Sequence, residues 1–301
     1  MSQRDVKNRI ASVQNIRKIT RAMEMVAAAR LRRAEQRIEH LRPYAGAIRR
    51  MTRQAAEAAG GEIGSLPILK QHESERRVAI LLVTADRGLA GAFNSQIIRA
   101  GLRAALDYEA EGKSVVFWAT GRRGVSSLTF RGREPEGAFT GFTDRPAYAN
   151  AREVAESLMA SYIDDQVDRV EVFYNGYVSP LVQEVRRETL LPLQQATILE
   201  AGDDDAHEDG DGHGQHALVE YEPDPAIILE RLVPDYVEIS IFRSLLESTA
   251  SEHGARMTAM RNASENAAVV IDDLTLEMNR ARQAEITQEI MEVVGGAEAL
   301  T

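Results

Sequence analysis

One segment in the first third of the chain has the residue order of a phosphate-binding loop. LLVTADRGLAGAFNS, residues 81–95, joins an aliphatic run to a turn that contains Gly88 and Gly91. Phosphate loops need G-x-x-x-x-G-K-[ST] or G-x-G-x-x-G, whereas these glycines are spaced G-x-x-G and no lysine follows them. Dinucleotide-binding units also have an acidic residue at the end of a strand about 20 residues after the glycines, and no acidic residue has that position here. We therefore expect a tight turn that projects the permanent cation Arg87, and no bound nucleotide.

A second candidate site is the acidic segment 199–224, which contains DDDAHEDGDGHGQH. Read as a calcium loop starting at Asp205, it has His216 at the position where a bidentate Glu is required. His207 and His213 could join His216 around zinc, but no rigid element positions them. The segment has ten acidic residues and no Lys or Arg, so it has almost nothing to bury. We expect a flexible acidic loop, with no metal and no cofactor.

The composition limits the class of protein. The 301 residues are 44% hydrophobic but only 5% aromatic, which suits long helices with aliphatic seams. There is no cysteine, which excludes disulfides, thiolate metal sites and thiol catalysis. No aliphatic run approaches the roughly 18 residues of a membrane span, and the first residues lack an apolar signal core. We expect a soluble intracellular chain, which could still join a membrane complex by binding another protein.

The two ends of the chain are predicted to be long helices, over 1–58 and 226–301. Steps of three and four dominate among the apolar residues of the first, which fall at Val6, Ile10, Val13, Ile16, Ile19, Met23 and Val26 and resume at Leu31, Ala34, Ile38 and Leu41. The second has a heptad seam, at Leu246, Ala250, His253, Met257, Met260, Ser264, Ala267, Ile271, Leu274, Met278 and Ala281. Pairing as an antiparallel coiled coil would cover both stripes. His253 and Ser264 could fix its register, or could face solvent or a partner.

The middle of the chain, residues 75–195, alternates between strand and helix patterns. Strands are predicted at 76–85, 113–121, 168–178 and 181–193, and helices at 94–112 and 145–165. This alternation predicts a mostly parallel, Rossmann-like sheet, whose last strand is antiparallel because its connection is short. The fold class is therefore α/β, with a terminal coiled coil and a central Rossmann-like domain.

The charge is divided unevenly along the chain. Net charge is −10, yet residues 1–58 have 14 Lys or Arg against 5 Asp or Glu. A basic helix raises the possibility of nucleic-acid binding, but Tyr44 is the only aromatic residue in that stretch. No catalytic Ser/His/Asp set or carboxylate pair follows from the spacing. The chain does not look like an enzyme by itself, and a coiled-coil scaffold with an α/β head remains an alternative.

Three segments together resemble the gamma subunit of F-type ATP synthase, of the bacterial type. They are residues 10–37 (IASVQNIRKITRAMEMVAAARLRRAEQR), 83–95 (VTADRGLAGAFNS) and 236–300, which begins YVEISIFRSLLESTASEHG. The chain departs from the family at Ala90, where a cysteine is common. It also lacks the cysteine-bearing insertion of the chloroplast members, so thiol control is not expected.

The resemblance implies a non-catalytic rotor shaft of a proton-translocating F1Fo complex. In that family the paired helices enter an α3β3 hexamer, whose subunits bind the nucleotides. The sheet domain binds the epsilon subunit near the membrane c-ring. Such a subunit would lie at the cytoplasmic face of the bacterial plasma membrane. The resemblance also implies coupling contacts to an acidic lever and a loop of β, at Arg21, Met23, Arg87, Arg282, Gln283 and Thr287.

Overall fold

The computed structural model describes residues 3–59, 68, 72, 74–193 and 225–298, without the side chains of 57, 59, 225, 226, 292 and 294–298. The predicted acidic loop and its candidate metal ligands lie outside the described residues. The chain divides into two compact units. The helical unit comprises Met1–Ala29 and Arg256–Thr301, and the sheet unit comprises Arg30–Ala255.

The secondary structure begins and ends with very long helices. Through the described ranges, the elements in chain order are α1 (Gln3–Ala59), β1 (Arg77–Val83), α2 (Phe93–Ala110), β2 (Ser114–Thr120), α3 (Arg122–Phe130), β3 (Gly137–Phe139), α4 (Tyr148–Ile163), β4 (Arg169–Tyr177), β5 (Gln183–Leu191) and α5 (Pro225–Glu298). Helix α1 has 57 residues and α5 has 74. At 1.5 Å per residue these helices are about 85 and 110 Å long.

In the helical unit, α1 and α5 run antiparallel, as predicted. Thr20 Oγ1 and Ser264 Oγ lie 2.7 Å apart, and Arg261 Nε donates to Glu24 Oε1 at 2.9 Å. Moving four residues forward along α1 therefore moves three residues back along α5. Ser264 contacts the partner helix, as expected of a residue that fixes register, whereas His253 belongs to the sheet unit.

The α5 side of this helix pair follows the predicted heptad seam. Met260, Ala267 and Leu274 are buried and recur every seven residues. The intervening seam positions from the helical unit are partly buried, and they are Met257, Ser264, Ile271, Met278 and Ala281. The seam prediction is confirmed over this stretch, because both sets of seam positions on α5 are at least partly buried against the partner helix.

The α1 side differs from the predicted stripe. The side chains predicted to face the partner over one stretch are Ile16, Ile19, Met23 and Val26. The two isoleucines and the valine are more than half exposed, and the methionine is only partly buried. The buried positions are Thr20 and Ala27, which continue a heptad from Val6 through Val13. Small side chains allow two helix axes to approach closely, so the larger residues are left on the outer face.

In the sheet unit, the five strands form one sheet in the order β3-β2-β1-β4-β5. Strands β1, β2, β3 and β4 pair in parallel, and β5 pairs antiparallel with β4. The four predicted strands and their mostly parallel arrangement are confirmed, with ends that differ by a few residues. Helix α3 and strand β3 lie in a region for which the sequence predicted no element.

Helices cover both faces of this sheet, as buried parallel strands require. A separate hydrophobic core lies on each face of the sheet, and alternate residues of β1 point into each. Ala79, Leu81 and Val83 belong to the first core, and Val78, Ile80 and Leu82 belong to the second. The first core contains side chains of α4, of α5 and of α1 after Arg30, among them Leu158, Val237, Ile241, Ala55 and Ala56. The second contains side chains of α2 and α3, among them Phe93, Ile97 and Leu128.

None of the helices in the described part of the chain has an apolar stretch long enough to cross a membrane.

Candidate functional site

The carboxyl edge of the sheet is where open α/β proteins bind ligands, at the point where the strand order reverses. Here the order reverses between β1 and β4, because β2 and β3 lie on one side of β1 and β4 on the other. Helix α5 crosses this position. Ser248 Oγ donates to the carbonyl of Val83 at the end of β1, at 3.3 Å, and Ser251 Oγ donates to the carbonyl of Asn175 on β4, at 3.1 Å. The crevice is therefore filled by the chain's own helix.

The space left at this crevice is small. A cavity of about 10 Å³ lies between Thr84, Phe93, Thr143, Leu245, Ser248 and their neighbours. That volume corresponds to about one water molecule. A nucleotide needs a pocket of several hundred Å³, so this cavity cannot contain one.

The loop from Val83 to Ser95 is a tight strand-to-helix turn. Asn94 Oδ1 accepts a hydrogen bond from the Ala85 amide at 2.9 Å, which closes the turn on itself. Gly91 has a φ of 55°, in the left-handed region that glycine tolerates. The second left-handed residue of the loop is Leu89, with a φ of 61°. The Gly88 backbone lies close to the Arg123 side chain, since a Cβ at position 88 would lie 2.9 Å from Arg123 Nη2.

Asp86 ties this loop to two others at the same edge. Its Oδ2 accepts from the Gly141 amide at 2.9 Å, the Thr143 amide at 3.2 Å and Thr143 Oγ1 at 2.9 Å. Its Oδ1 accepts from the Arg122 amide at 3.1 Å. Burial alone would raise the pKa of the Asp86 carboxyl, but these four hydrogen bonds hold it below its usual value. The carboxylate is therefore a charged structural centre for three loops.

Arg87 projects from this fixed loop into solvent. Its side chain is exposed, and the guanidinium group makes no hydrogen bond or ion pair with any residue in the described part of the chain. The local alternative, a pair with Asp86, is absent because that carboxylate is occupied by the three loops. Arg122 and Arg123 are exposed at the start of α3, so this edge presents several cations.

The other predicted contact residues belong to the helical unit. Arg21 is exposed on α1, and Met23 is partly buried beside it. Arg282, Gln283 and Thr287 are exposed on α5, where Thr287 Oγ1 donates to the Gln283 carbonyl at 2.8 Å. The six predicted residues are thus divided between the two units, with Arg87 in the sheet unit and the other five in the helical unit.

The end of α5 has no partner helix among the described residues. Extending the Thr20–Ser264 register brings Gln3, the first described residue of α1, close to Ala281. Every residue from 282 to 291 is exposed. Ile286, Ile290 and Val293 are 48%, 57% and 73% exposed and share one face at helical spacing. An exposed apolar stripe of this kind is typical of a surface that contacts another protein.

Sequence reasoning missed three features of the carboxyl edge: the Asp86 centre, the second turn that begins at Gly121, and the hydroxyls of α5. An acid directly after a buried strand was the available signal for the first. The run TGRRG after β2, with glycines spaced as in the first loop, was the signal for the second. The serines of α5 gave no signal, because an isolated helix shows nothing of what surrounds it.

A buried carboxylate elsewhere in the sheet unit resembles a catalytic acid but is fully paired. Glu171 Oε2 accepts from Arg187 Nε at 2.9 Å, and Tyr108 Oη donates to Glu171 Oε1 at 2.7 Å. Burial and this hydrogen bond raise the pKa of the Tyr108 phenol. The group joins α2 to two strands. Among the described residues, no three His, Asp or Glu side chains are grouped to hold a metal ion.

The fold and the site thus define a chain with an antiparallel pair of long terminal helices and an α/β sheet unit whose ligand crevice is occupied by its own helix. The sequence model of the family described as ATP synthase matches residues 2–300. The ATP synthase gamma chain of Rubrobacter xylanophilus is 41% identical over 299 residues, covering 99% of this chain and 98% of that protein. That of Streptomyces coelicolor is 41% identical, covering 98% and 94%. The chain belongs to the ATP synthase gamma chain family, whose members are non-catalytic subunits of that complex.

Solved structures agree with this assignment. A chain from the central stalk and c-ring of Tetrahymena thermophila mitochondrial ATP synthase is 25% identical with a TM-score of 0.58, covering 82% of this chain and 99% of that one. A chain from the Euglena gracilis mitochondrial ATP synthase has a TM-score of 0.66 at 17% identity, covering 99% and 94%. The second likeness concerns the fold alone.

Proposed function

We propose that this chain is the central-stalk rotor of a proton-translocating F1Fo ATP synthase, coupling rotation of the membrane ring to ATP synthesis and hydrolysis. The observation that carries the proposal is the end of α5, where a paired helix continues as a single helix exposed on all sides from 282 to 291. A rotor must contact each of several partner subunits in turn. A helix end with different side chains on each face gives each of them a different contact.

The partners follow from this arrangement. We propose that the α and β subunits surround the end of α5 as an α3β3 hexamer, and that the sheet unit contacts the epsilon subunit and the c-ring. The complex would lie at the cytoplasmic face of the bacterial plasma membrane, with H⁺ as the coupling ion. Nucleotides would bind to α and β, which is consistent with the crevice of this chain being filled by Ser248 and Ser251.

The coupling contacts are proposed to be transient and electrostatic. Arg21 and Arg87 are exposed cations, and Met23 lies beside the first on α1. An acidic lever of β would meet them at one rotor angle in each turn. Exposed ion pairs contribute about 0–1 kcal/mol each, so such contacts can form and break without trapping the rotor. Arg282, Gln283 and Thr287 would touch a loop of β near the end of α5.

Reconstitution with α and β subunits tests the proposal. We expect the wild-type chain to assemble at one copy per α3β3 hexamer and to stimulate ATP hydrolysis. Arg282→Ala with Gln283→Ala should lower assembly or coupled turnover. The matched control is Arg280→Ala, an exposed cation on the same helix. A wild-type chain that neither joins α and β nor changes their hydrolysis would instead indicate a scaffold protein.

Arg87→Ala separates the coupling role from nucleotide binding. We expect slower coupled turnover, most clearly at low salt, with unchanged nucleotide affinity at β. Arg103→Ala, on the exposed side of α2, is the control. Equal turnover of the two variants at all salt concentrations would remove Arg87 from the coupling contacts. Tight binding of ATP by the isolated chain would contradict the interpretation of the loop.

A further inference from the structure

One stretch of α5 is buried on every side. All residues from Ser244 to Gly254 are buried, although a helix at the surface of a sheet normally exposes one face. The stretch is also rich in hydroxyl groups, which are uncommon on fully buried helices. At Gly254 a Cβ would lie 3.1 Å from the Pro180 carbonyl oxygen, so the β4–β5 connection approaches the helix backbone closely.

Three hydroxyls of this stretch donate to backbone carbonyls of three different chain segments. Ser248 Oγ donates to Val83 at 3.3 Å, and Ser251 Oγ donates to Asn175 at 3.1 Å. Thr249 Oγ1 lies 3.0 Å from the Thr143 carbonyl, in the connection after β3, and shares its proton between that carbonyl and the Leu245 carbonyl of its own helix, which lies 2.7 Å away. Together they join α5 to the end of β1, to β4 and to the loop that Asp86 holds.

The three contacts are spread around the helix. At about 100° per residue, Ser251 and Thr249 lie on opposite sides of Ser248 and the set spans about 160° of the circumference. Two further polar contacts lie on its two flanks. Glu247 Oε2 accepts from Arg186 Nη1 on β5 at 3.2 Å, and His253 Nε2 lies 3.7 Å from Asp144 Oδ1.

This geometry opposes rotation of the helix about its own axis. Apolar contacts are non-directional and can be replaced as a helix turns against a core. Hydrogen bonds weaken steeply with angle and distance, so a turn in either direction breaks contacts on both flanks together. The four hydrogen bonds, from Ser248, Thr249, Ser251 and Arg186, therefore hold one angular position of α5 against the sheet.

We propose that Ser248, Thr249 and Ser251 form a hydroxyl clamp that transmits torque between the sheet of this chain and α5. The clamp makes the sheet and the base of the helix turn as one body, and the helix continues from it without interruption to Glu298. These three are positioning residues for rotary coupling and touch no nucleotide. The proposal rests on the rotor function above.

The variant that removes the clamp is Ser248→Ala, Thr249→Val and Ser251→Ala. The matched control is Ser244→Ala, which deletes an equally buried hydroxyl of the same helix. The Ser244 hydroxyl donates only within the helix, to the Ser240 carbonyl at 2.9 Å. Ser251→Thr restores a hydroxyl at the third clamp position and serves as the conservative rescue.

The measurement uses the chain assembled with α and β. Because the chain has no cysteine, Asp107→Cys on the exposed side of α2 gives a single attachment point for a bead on the sheet unit. The hexamer is fixed to a surface, and angular fluctuations of the bead are recorded while rotation is stalled. We expect the angular variance to rise roughly twofold or more in the clamp variant, since three of the four hydrogen bonds that hold the angle are lost. The Ser244→Ala rotor should behave as wild type.

Two outcomes overturn the clamp: a variance equal to wild type, or an equal rise in Ser244→Ala, which would indicate a general packing defect. If the triple variant fails to assemble, Ser251→Ala alone is compared with Ser251→Thr, and equal variances of that pair reject the clamp. A wild-type rotor that shows no stepwise rotation rejects the rotor function, which is a separate result.

Discussion

At the residue scale, Asp86 shows how one carboxylate can organise a surface. Four hydrogen bonds join it to Gly141, Thr143 and Arg122, and its side chain is only 13% exposed. The adjacent Arg87 gains its exposure from this arrangement, because the acid beside it is already satisfied. The loop is therefore held rigidly at Arg87 by the hydrogen bonds of Asp86, and no ion pair of Arg87 itself is needed to fix it.

Asp86→Asn should destabilise the sheet unit in a pH-dependent way. Its folded pKa is lowered, so the carboxylate stabilises the fold above its unfolded pKa of about 3.9, and this contribution is lost as pH falls through the lower folded value. At pH 7 we expect a loss of roughly 2–3 kcal/mol, as for hydrogen bonds to a charged group. Urea unfolding at pH 7 and pH 3 measures it.

The control for Asp86 is Asp107→Asn, an exposed acid on α2. It should change the urea midpoint little at either pH. A difference between Asp86→Asn and wild type that is as large at pH 3 as at pH 7 would show that shape, and not charge, gives Asp86 its role.

The sequence predicted the position of Arg87 but not the reason for it. The aliphatic run before the loop located the strand, and the two glycines located the turn. The hydrogen-bond donors to Asp86 come from residues 36 to 57 positions further along. No local pattern contains that information, since only the sheet order brings these loops together.

At the element scale, the two long helices differ in how well their patterns predicted them. In α5 the seam has Met260, Ala267 and Leu274 at heptad positions, and the prediction is confirmed there. In α1 a stripe of larger side chains competes with a seam that includes Thr20 and Ala27. Periodicity identifies both stripes as helical but cannot say which one a partner covers, because close helix packing favours small residues.

The Thr20–Ser264 contact gives a test of this seam. Thr20→Val removes the 2.7 Å partner of the Ser264 hydroxyl and leaves it only the Arg17 carbonyl at 3.5 Å, so we expect a loss of about 1 kcal/mol in the free energy of unfolding. Thr20→Val with Ser264→Ala removes both polar groups and should recover most of that loss. Thr275→Val is the control, because its hydroxyl donates within α5 to Ile271 at 2.7 Å. Equal, additive losses from the two seam substitutions would contradict a direct contact.

The second turn at the carboxyl edge, between β2 and α3, depends on one glycine. Gly121 has a φ of 83°, and a Cβ there would lie 2.3 Å from the Thr84 carbonyl oxygen. Gly112 has the same φ, yet a Cβ there would meet nothing within 4 Å. The turn and the three-residue strand after α3 were missed because short elements give too few residues for a periodic signal.

Gly121→Ala and Gly112→Ala therefore separate crowding from backbone strain. Both substitutions force an L-residue to a positive φ, at roughly 1–2 kcal/mol. Only Gly121→Ala also displaces a backbone carbonyl, so we expect it to lose at least about 2 kcal/mol more, in line with severe overpacking. Thermal unfolding of both variants measures the difference. Equal midpoints would mean that β1 and β2 can separate at their ends at little cost.

At the scale of the whole molecule, the chain combines a sheet unit buried on both faces with a helical unit that leaves many apolar side chains exposed. Ile16, Ile19 and Val26 on α1, and Ile290 and Val293 on α5, are each more than half exposed. Exposed apolar side chains grouped along long helices are typical of a surface that another protein covers. Their exposure fits a subunit whose helical unit is enclosed by other proteins, as proposed for the α3β3 hexamer.

The last prediction concerns the apolar stripe beyond Ala281. Ile286→Ser with Ile290→Ser should leave the isolated chain unchanged in thermal unfolding, because both side chains are about half exposed and Ser matches Ile in helix propensity. Assembly with α and β should weaken by about tenfold or more, since burial of each isoleucine contributes about 1.5–3 kcal/mol when complete. Glu285→Gln with Glu289→Gln changes the neighbouring face of the same turns and should assemble normally. Pull-down of α and β by tagged chain, titrated at fixed salt, measures the affinity. If the isoleucine variant assembles as well as the glutamine variant, the end of α5 is held by contacts other than this stripe.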